Sequence, residues 1–259
     1  MDKQPLVSII IATHNYGIYL ESCIKSAINQ TYPNIKIVVI DDASTDNSKE
    51  IIERLSEQDF RIVPIYLDEC QGASEARNIG IRQVWNETDY FLILDADDEA
   101  KPTKVQEFLQ KILASPQIGL VYGDYHILNV ETGNLINEFK ESYDLRELNQ
   151  RCIIHSASLI SKAALDAVKE VDENGLMSIY DKRLHGPANQ EFIGCCEDWD
   201  LWGRISERYM CIHVAKPLSL VRVHPNNASK IEKVNPVWQS NWNLIQQKRA
   251  MRANINHKA

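Results

Sequence analysis

Short apolar runs rich in isoleucine and valine recur through the first half of the chain. Each is followed by an amphipathic stretch long enough to cross back over a sheet. Residues 6–12, 35–41, 61–67, 90–94 and 118–122 form the runs, and residues 19–30, 47–57, 73–85 and 102–114 fill the spaces between them. Strands apolar along nearly their whole length are those covered on both faces, and regular strand–helix alternation builds a sheet from parallel crossovers. The pattern predicts an α/β sandwich around a mostly parallel central sheet. Pro64 marks the third run as an edge or bent strand, and Pro102 opens the fourth helix.

Beyond about residue 125 the alternation fails and a smaller lobe begins. Thr132-Gly133-Asn134 reads as a hairpin turn, and the charged stretch 139–151 has no clear period. A helix is expected over 161–171, a long loop over 172–194, a helix over 198–208, strands over 211–214 and 219–224, and a terminal helix over 237–253. The organisation that follows is a first half at 1–125, a second half of the same domain at 126–235, and a C-terminal helix at 236–259.

A chain of 259 residues, 44% of them hydrophobic, can bury a core without a covalent staple. The six cysteines include no C-x-x-C pair, which argues against a zinc ribbon or a redox dithiol. A formal charge of -8 repels phosphate backbones and disfavours nucleic acid as a partner. An anionic ligand would need a local device such as a metal ion. The first apolar run leads into Thr13-His14-Asn15 instead of a cleavage site, and no window nears the roughly 20 apolar residues of a membrane span. A cytoplasmic location is expected. In the terminal helix, Trp238, Trp242 and Ile245 lie near Lys248, Arg249 and Arg252, a set suited either to the inner face of an anionic membrane or to packing on the domain.

Chemistry concentrates where apolar runs end. Leu92-Ile93-Leu94-Asp95-Ala96-Asp97-Asp98 places three carboxylates there, and strand alternation would put Asp95 and Asp97 on one face at the sheet edge where α/β proteins bind ligands. Two such carboxylates can share Mg²⁺ or Mn²⁺ with a diphosphate, or they can cap the following helix. The second run ends in Ile40-Asp41-Asp42-Ala43-Ser44-Thr45-Asp46, beside the first. Asp42 is suited to a base or ribose hydroxyl, and Asp46 to a helix cap. Neither G-x-G-x-x-G nor G-x-x-x-x-G-K-[ST] occurs. Gly72-Ala73-Ser74-Glu75-Ala76 lacks the last glycine of a nucleophile elbow, which disfavours serine hydrolysis.

Six segments in order carry a resemblance: Val7 to Asn15, Ile40 to Asp46, Ala76-Arg77-Asn78-Ile79-Gly80, Leu94 to Asp98, Cys196-Glu197-Asp198-Trp199-Asp200-Leu201-Trp202, and Val221-Arg222-Val223-His224. Together the set resembles the family 2 glycosyltransferases of GT-A fold, departing at Ala12 and His14, where that family often has Pro and Tyr. The resemblance implies that Thr13, Asn15, Asp42 and Arg77 hold the nucleoside of a nucleotide-sugar, most often UDP-linked, and that Asp95 touches the ribose. It further implies Asp97 and His224 as ligands of Mn²⁺ or Mg²⁺, and Asp198 as general base for a glycan or lipid-linked acceptor, with inversion. Glu197 and Trp199 fall on the acceptor side, whereas Trp202 reads as core. A helix N-terminus favours an ionised Asp198, and the loop 172–194, with Tyr180, Lys182, Arg183 and His185, is placed to close over the ligands. The alternatives are a nucleotidyltransferase, for which the early loops lack a basic cluster, and a non-catalytic nucleotide-sugar-binding module.

Overall fold

The computed structural model describes residues 4–140, 142–171, 175–181, 184, 196–227 and 236–256. In chain order the elements are β1 (Val7–Thr13), α1 (Gly17–Ile28), β2 (Ile35–Asp41), α2 (Ser48–Gln58), β3 (Ile62–Tyr66), α3 (Ala73–Val84), β4 (Tyr90–Ile93), β5 (Glu99–Ala100), α4 (Lys104–Ile112), β6 (Ile118–Asn129), β7 (Leu135–Glu138), α5 (Leu145–Gln150), β8 (Leu159–Ser161), α6 (Lys162–Val168), β9 (Glu170–Val171), β10 (Met177–Ser178), α7 (Glu197–Ser206), β11 (Met210–Val223) and α8 (Pro236–Asn256). The main sheet runs β3-β2-β1-β4-β8-β6-β11-β5, with β7 added to β6 as a hairpin.

Successive β1 side chains go to opposite layers, as the pleat requires. Val7, Ile9 and Ile11 join Leu20 and Ile24 of α1, Ile52 of α2 and Phe108 of α4. Ile10 joins Ala76 and Ile81 of α3, Leu165 of α6 and Trp202 of α7. Helices therefore cover both faces, and the apolar runs are apolar for that reason.

The expected sandwich is present, and its sheet is mixed rather than purely parallel, the long ladders β3–β2, β2–β1, β1–β4 and β6–β11 being parallel. β8 enters antiparallel between β4 and β6, and β5 pairs antiparallel with β11. β3 is the edge strand that Pro64 indicated. The two late strands are one strand, β11, with irregular register near Pro217. α4 starts at Lys104 behind Thr103, so Pro102 precedes the helix instead of opening it. The charged 139–151 stretch contains α5, capped by the Asp144 side chain.

α8 packs on the domain. Ile245 is buried, Trp242 lies 4.5 Å from Trp199, Lys248 donates to Asp181 at 2.8 Å and Asp200 at 3.2 Å, and Arg252 pairs with Glu207 at 3.0 Å. These groups face protein, the packing alternative of the sequence reading. The Trp238 side chain lies outside the described residues, as does most of 172–194, including Lys182, Arg183 and His185. No helix among the described residues is long and apolar enough to cross a membrane.

Candidate active site

β1, β2 and β4 end side by side, and the loops beyond them form one rim. Three non-glycine residues with positive φ border it: Asn15 at 60°, Ala43 at 57° and Cys196 at 111°. Such conformations persist where surrounding structure holds them. At Asn15 the holding is visible. Its Oδ1 accepts from the Thr45 amide at 2.7 Å and the Asp46 amide at 3.3 Å, while its own amide donates to Ser44 Oγ at 2.9 Å. Asn15 thus fastens the β1 loop to the β2 loop. Asp46 accepts from the Gly17 amide at 2.8 Å and the Ser48 amide at 3.0 Å, tying the starts of α1 and α2 together, while the N-cap position of α2 is Asn47 and not Asp46 as the sequence suggested.

Asp42, read from the sequence as a nucleoside ligand, directs both oxygens at backbone. Oδ1 accepts from the Gln71 amide at 2.7 Å and Oδ2 from the Gly72 amide at 2.8 Å, closing the loop before α3. Thr13 is buried with its Oγ1 unpartnered.

Asp95 and Asp97 lie past the end of β4, in a turn closed by Asp98 N donating to Asp95 O at 3.0 Å. Strand alternation therefore does not apply, and the two diverge. Asp95 accepts from Arg77 Nη2 at 2.7 Å and Ser156 Oγ at 2.5 Å. Asp97 Oδ2 lies 3.1 Å from His224 Nε2 and accepts from Asn227 Nδ2 at 3.0 Å. Asp98 accepts from the Arg222 amide at 3.0 Å. The helix-cap alternative fails, since Thr103 occupies that position on α4.

Burial raises the Asp97 carboxyl above the usual carboxylate range, with Asp95 repelling in the same direction and His224 opposing. Asp98 is raised still further by burial and both neighbours. Beneath them lies Lys104, hydrogen-bonded to Ser219 Oγ and drawn down to about 7 by burial against the attraction of Asp98 and Asp95. A cation at Asp97 and His224 would relieve this crowding. Their carboxylate oxygen and imidazole nitrogen suit Mn²⁺ or Mg²⁺, the nitrogen favouring Mn²⁺. No cage of three or more such side chains occurs among the described residues.

Arg77 joins the two halves. Buried in α3, it donates to Asp95 and, through Nη1, to Glu197 Oε1 at 3.0 Å, and it lies 3.9 Å from Asp198 Oδ1. The guanidinium organises acids from separate segments, and Glu197 is turned onto it. Asp198 keeps Oδ1 buried without a hydrogen bond, while its side chain is 22% exposed. Burial pushes its pKa up to about 7, and Arg77 pulls against it. Desolvation thus outweighs the helix N-terminus expected to keep it acidic. Trp199 is only 3% exposed and its Nε1 donates to the Leu148 carbonyl, so it is core like Trp202 and offers no stacking face.

The positions overlooked in the sequence support others. Tyr19 stacks on His224 at 4.6 Å and Tyr16 meets its edge at 5.9 Å. Their i, i+3 spacing on one helix was a usable signal; Ser156 carried none.

A family model described as Glycosyl transferase family 2 matches residues 8–168. The chain belongs to this family. Glycosyltransferase GlyG of Streptococcus pneumoniae serotype 4 is 34% identical over 129 residues, 50% of this chain and 42% of that protein. An uncharacterized glycosyltransferase of Haemophilus influenzae is 28% identical over 233 residues, 89% of this chain and 69% of that one. The chain spans about half the length, or less, of the curated relatives first matched. Among solved structures, S. aureus TarS 1-349 in complex with UDP-GlcNAc aligns with TM-score 0.67 at 18% identity, covering 92% of this chain and 65% of that one. Mannosyltransferase PcManGT from Pyrobaculum calidifontis, in complex with GDP-Man and Mn2+, aligns with TM-score 0.61 at 19% identity, covering 86% and 59%. Likeness at these identities establishes the shared GT-A architecture.

Proposed function

We propose that this family 2 member is an inverting glycosyltransferase that moves a hexosyl or N-acetylhexosaminyl group from a nucleotide-sugar, UDP-linked, to a hydroxyl of a glycan or lipid-linked acceptor. The observation that carries the reading is the Arg77 bridge, which holds the acidic turn after β4 and the head of α7 within one guanidinium's reach. UDP-GlcNAc in the TarS complex and GDP-Man in the PcManGT complex support a nucleotide-sugar donor. Residues 1–125 supply most of the donor side, 126–235 the acceptor side, and 236–259 the packed helix.

In this reading Thr13 Oγ1 and the loop ordered by Asn15 and Asp42 receive the nucleoside, with Asp95 at the ribose. Asp97 and His224 hold the divalent ion, which when bound stabilises charge on the departing diphosphate. Asp198 accepts the proton of the attacking hydroxyl. A base whose pKa is near 7 suits that task at neutral pH, where general-base catalysis contributes about 10²–10⁴-fold. One base opposite one leaving group gives displacement with inversion.

The test is turnover. With a UDP-sugar panel, Mn²⁺ and a hydroxyl acceptor, nucleoside diphosphate release should depend on the acceptor; pyrophosphate release from a nucleoside triphosphate would instead identify a nucleotidyltransferase. Asp198→Asn should lower transfer by at least about 10²-fold with UDP affinity kept within a few-fold, and transfer at the wild-type rate would remove the base assignment. Asp97→Ala should abolish the Mn²⁺-dependent part of donor binding in calorimetry. An unaltered metal response would place the ion elsewhere.

A further inference from the structure

Among the described residues, Oδ1 of Asp198 and the hydroxyl of Tyr180 are buried near the head of α7 and form no hydrogen bond of ordinary geometry. One is an acceptor and the other carries a proton to donate. Arg77 sets them in the same place, since its guanidinium lies 5.3 Å from the Tyr180 ring centroid and 3.9 Å from Asp198 Oδ1. A donor and an acceptor this dry are costly to leave apart, and Tyr180 already bears on Asp198 by favouring its ionised form.

The Tyr180 backbone is held on several sides. Asn78 Oδ1 accepts from the amides of Ile179 and Tyr180, both at 2.9 Å, and its Nδ2 donates to the Tyr180 carbonyl at 2.9 Å. Arg204 of α7 donates to the Ile179 carbonyl at 2.6 Å, and Lys248 of α8 donates to Asp181 at 2.8 Å. The ring is fully buried. Burial and the Asp198 charge keep the phenol well above its ordinary pKa, so it remains a proton donor.

We propose that Tyr180 is a positioning residue for the base: its hydroxyl donates to Asp198 Oδ1 in the substrate-bound enzyme, fixing the carboxylate so that its other oxygen meets the acceptor hydroxyl. This deepens the reading of Asp198 given above and rests on it. The groups that face Asp198 are Arg77 from α3, Asp95 from the turn after β4, Glu197 beside it on α7, Cys152 from the segment after α5, and Tyr180. Asp95 and Glu197 oppose ionisation, whereas Arg77 and Tyr180 favour it. Removing the hydroxyl therefore weakens only the second side.

Tyr180→Phe tests this with the ring retained. The acid limb of kcat/KM should move up by about 0.5–1 pH unit, lowering turnover about three- to tenfold below the limb and leaving it near wild type above pH 8.5. Thermal midpoint and UDP affinity should stay at wild-type values, which a merely structural role would not allow. An unmoved acid limb alongside an inactive Asp198→Asn overturns the Tyr180 assignment and leaves the base in place. An active Asp198→Asn overturns the base reading itself.

Discussion

At the scale of single residues, Asp198 shows how a site is made by opposing influences. Burial raises its pKa to about 7 although Arg77 lies close. Because the folded value exceeds the unfolded one of about 3.9, the group favours the native state below pH 4 and loses that contribution as pH rises through 7. Asp198→Asn removes the penalty of a buried charge. It should therefore be more stable than wild type at pH 8 by on the order of 2 kcal/mol, with the gap closing toward pH 5. Urea midpoints at the two pH values check this, and parallel pH profiles would contradict it. Asp95 and Asp97 stood out as acids at the end of an apolar run, whereas Asp198 and His224 were singled out only through the family resemblance. Partners were not legible: Arg77 reaches Glu197 across 120 positions, and no local pattern distinguishes a guanidinium that grips carboxylates from one that waits for a nucleotide. Equally illegible were the backbone amides that Asp42 grips and the burial of Trp199.

At the scale of elements, legibility followed length and burial. β2 matches its apolar run, and α2 and α3 begin and end within about a residue of theirs. Boundary differences of that size are ordinary fraying. β8 went unseen because a three-residue strand between a loop and a helix carries no period. β11 was read as two strands because Pro217 interrupts its pattern, whereas the structure absorbs the interruption as an irregularity in register. α3 carries Arg77 and rests close on the sheet at Gly80, where an added Cβ would stand 2.5 Å from Ile40 Cδ1 and 3.4 Å from Ile10 Cγ2. Gly80→Ala should cost about 1–3 kcal/mol through overpacking and, by displacing the helix, reduce turnover, whereas Gly133→Ala, in open space but at a φ of 71°, should lower stability through backbone strain and leave turnover unchanged. Denaturation midpoints and initial rates of the two variants compare these effects directly.

At the scale of the whole molecule, the family model ends at residue 168, while Asp198 and His224 lie beyond it. The α/β class was readable from the first half alone, because repeated crossovers announce themselves. The mixed sheet was not, since it depends on where the chain returns after leaving the sheet. That return has a consequence for any attempt to divide the protein. β8, contributed by the later half, is the strand that closes the open side of β4, and Ser156 just before it holds Asp95. Fragments 1–125 and 126–259 expressed apart should each be insoluble or aggregate, since the first would present a bare β4 edge. Coexpressed, they should recover solubility and donor binding together, as complementing pieces that share one seam. A soluble, ligand-binding 1–125 fragment would mean that the seam is dispensable.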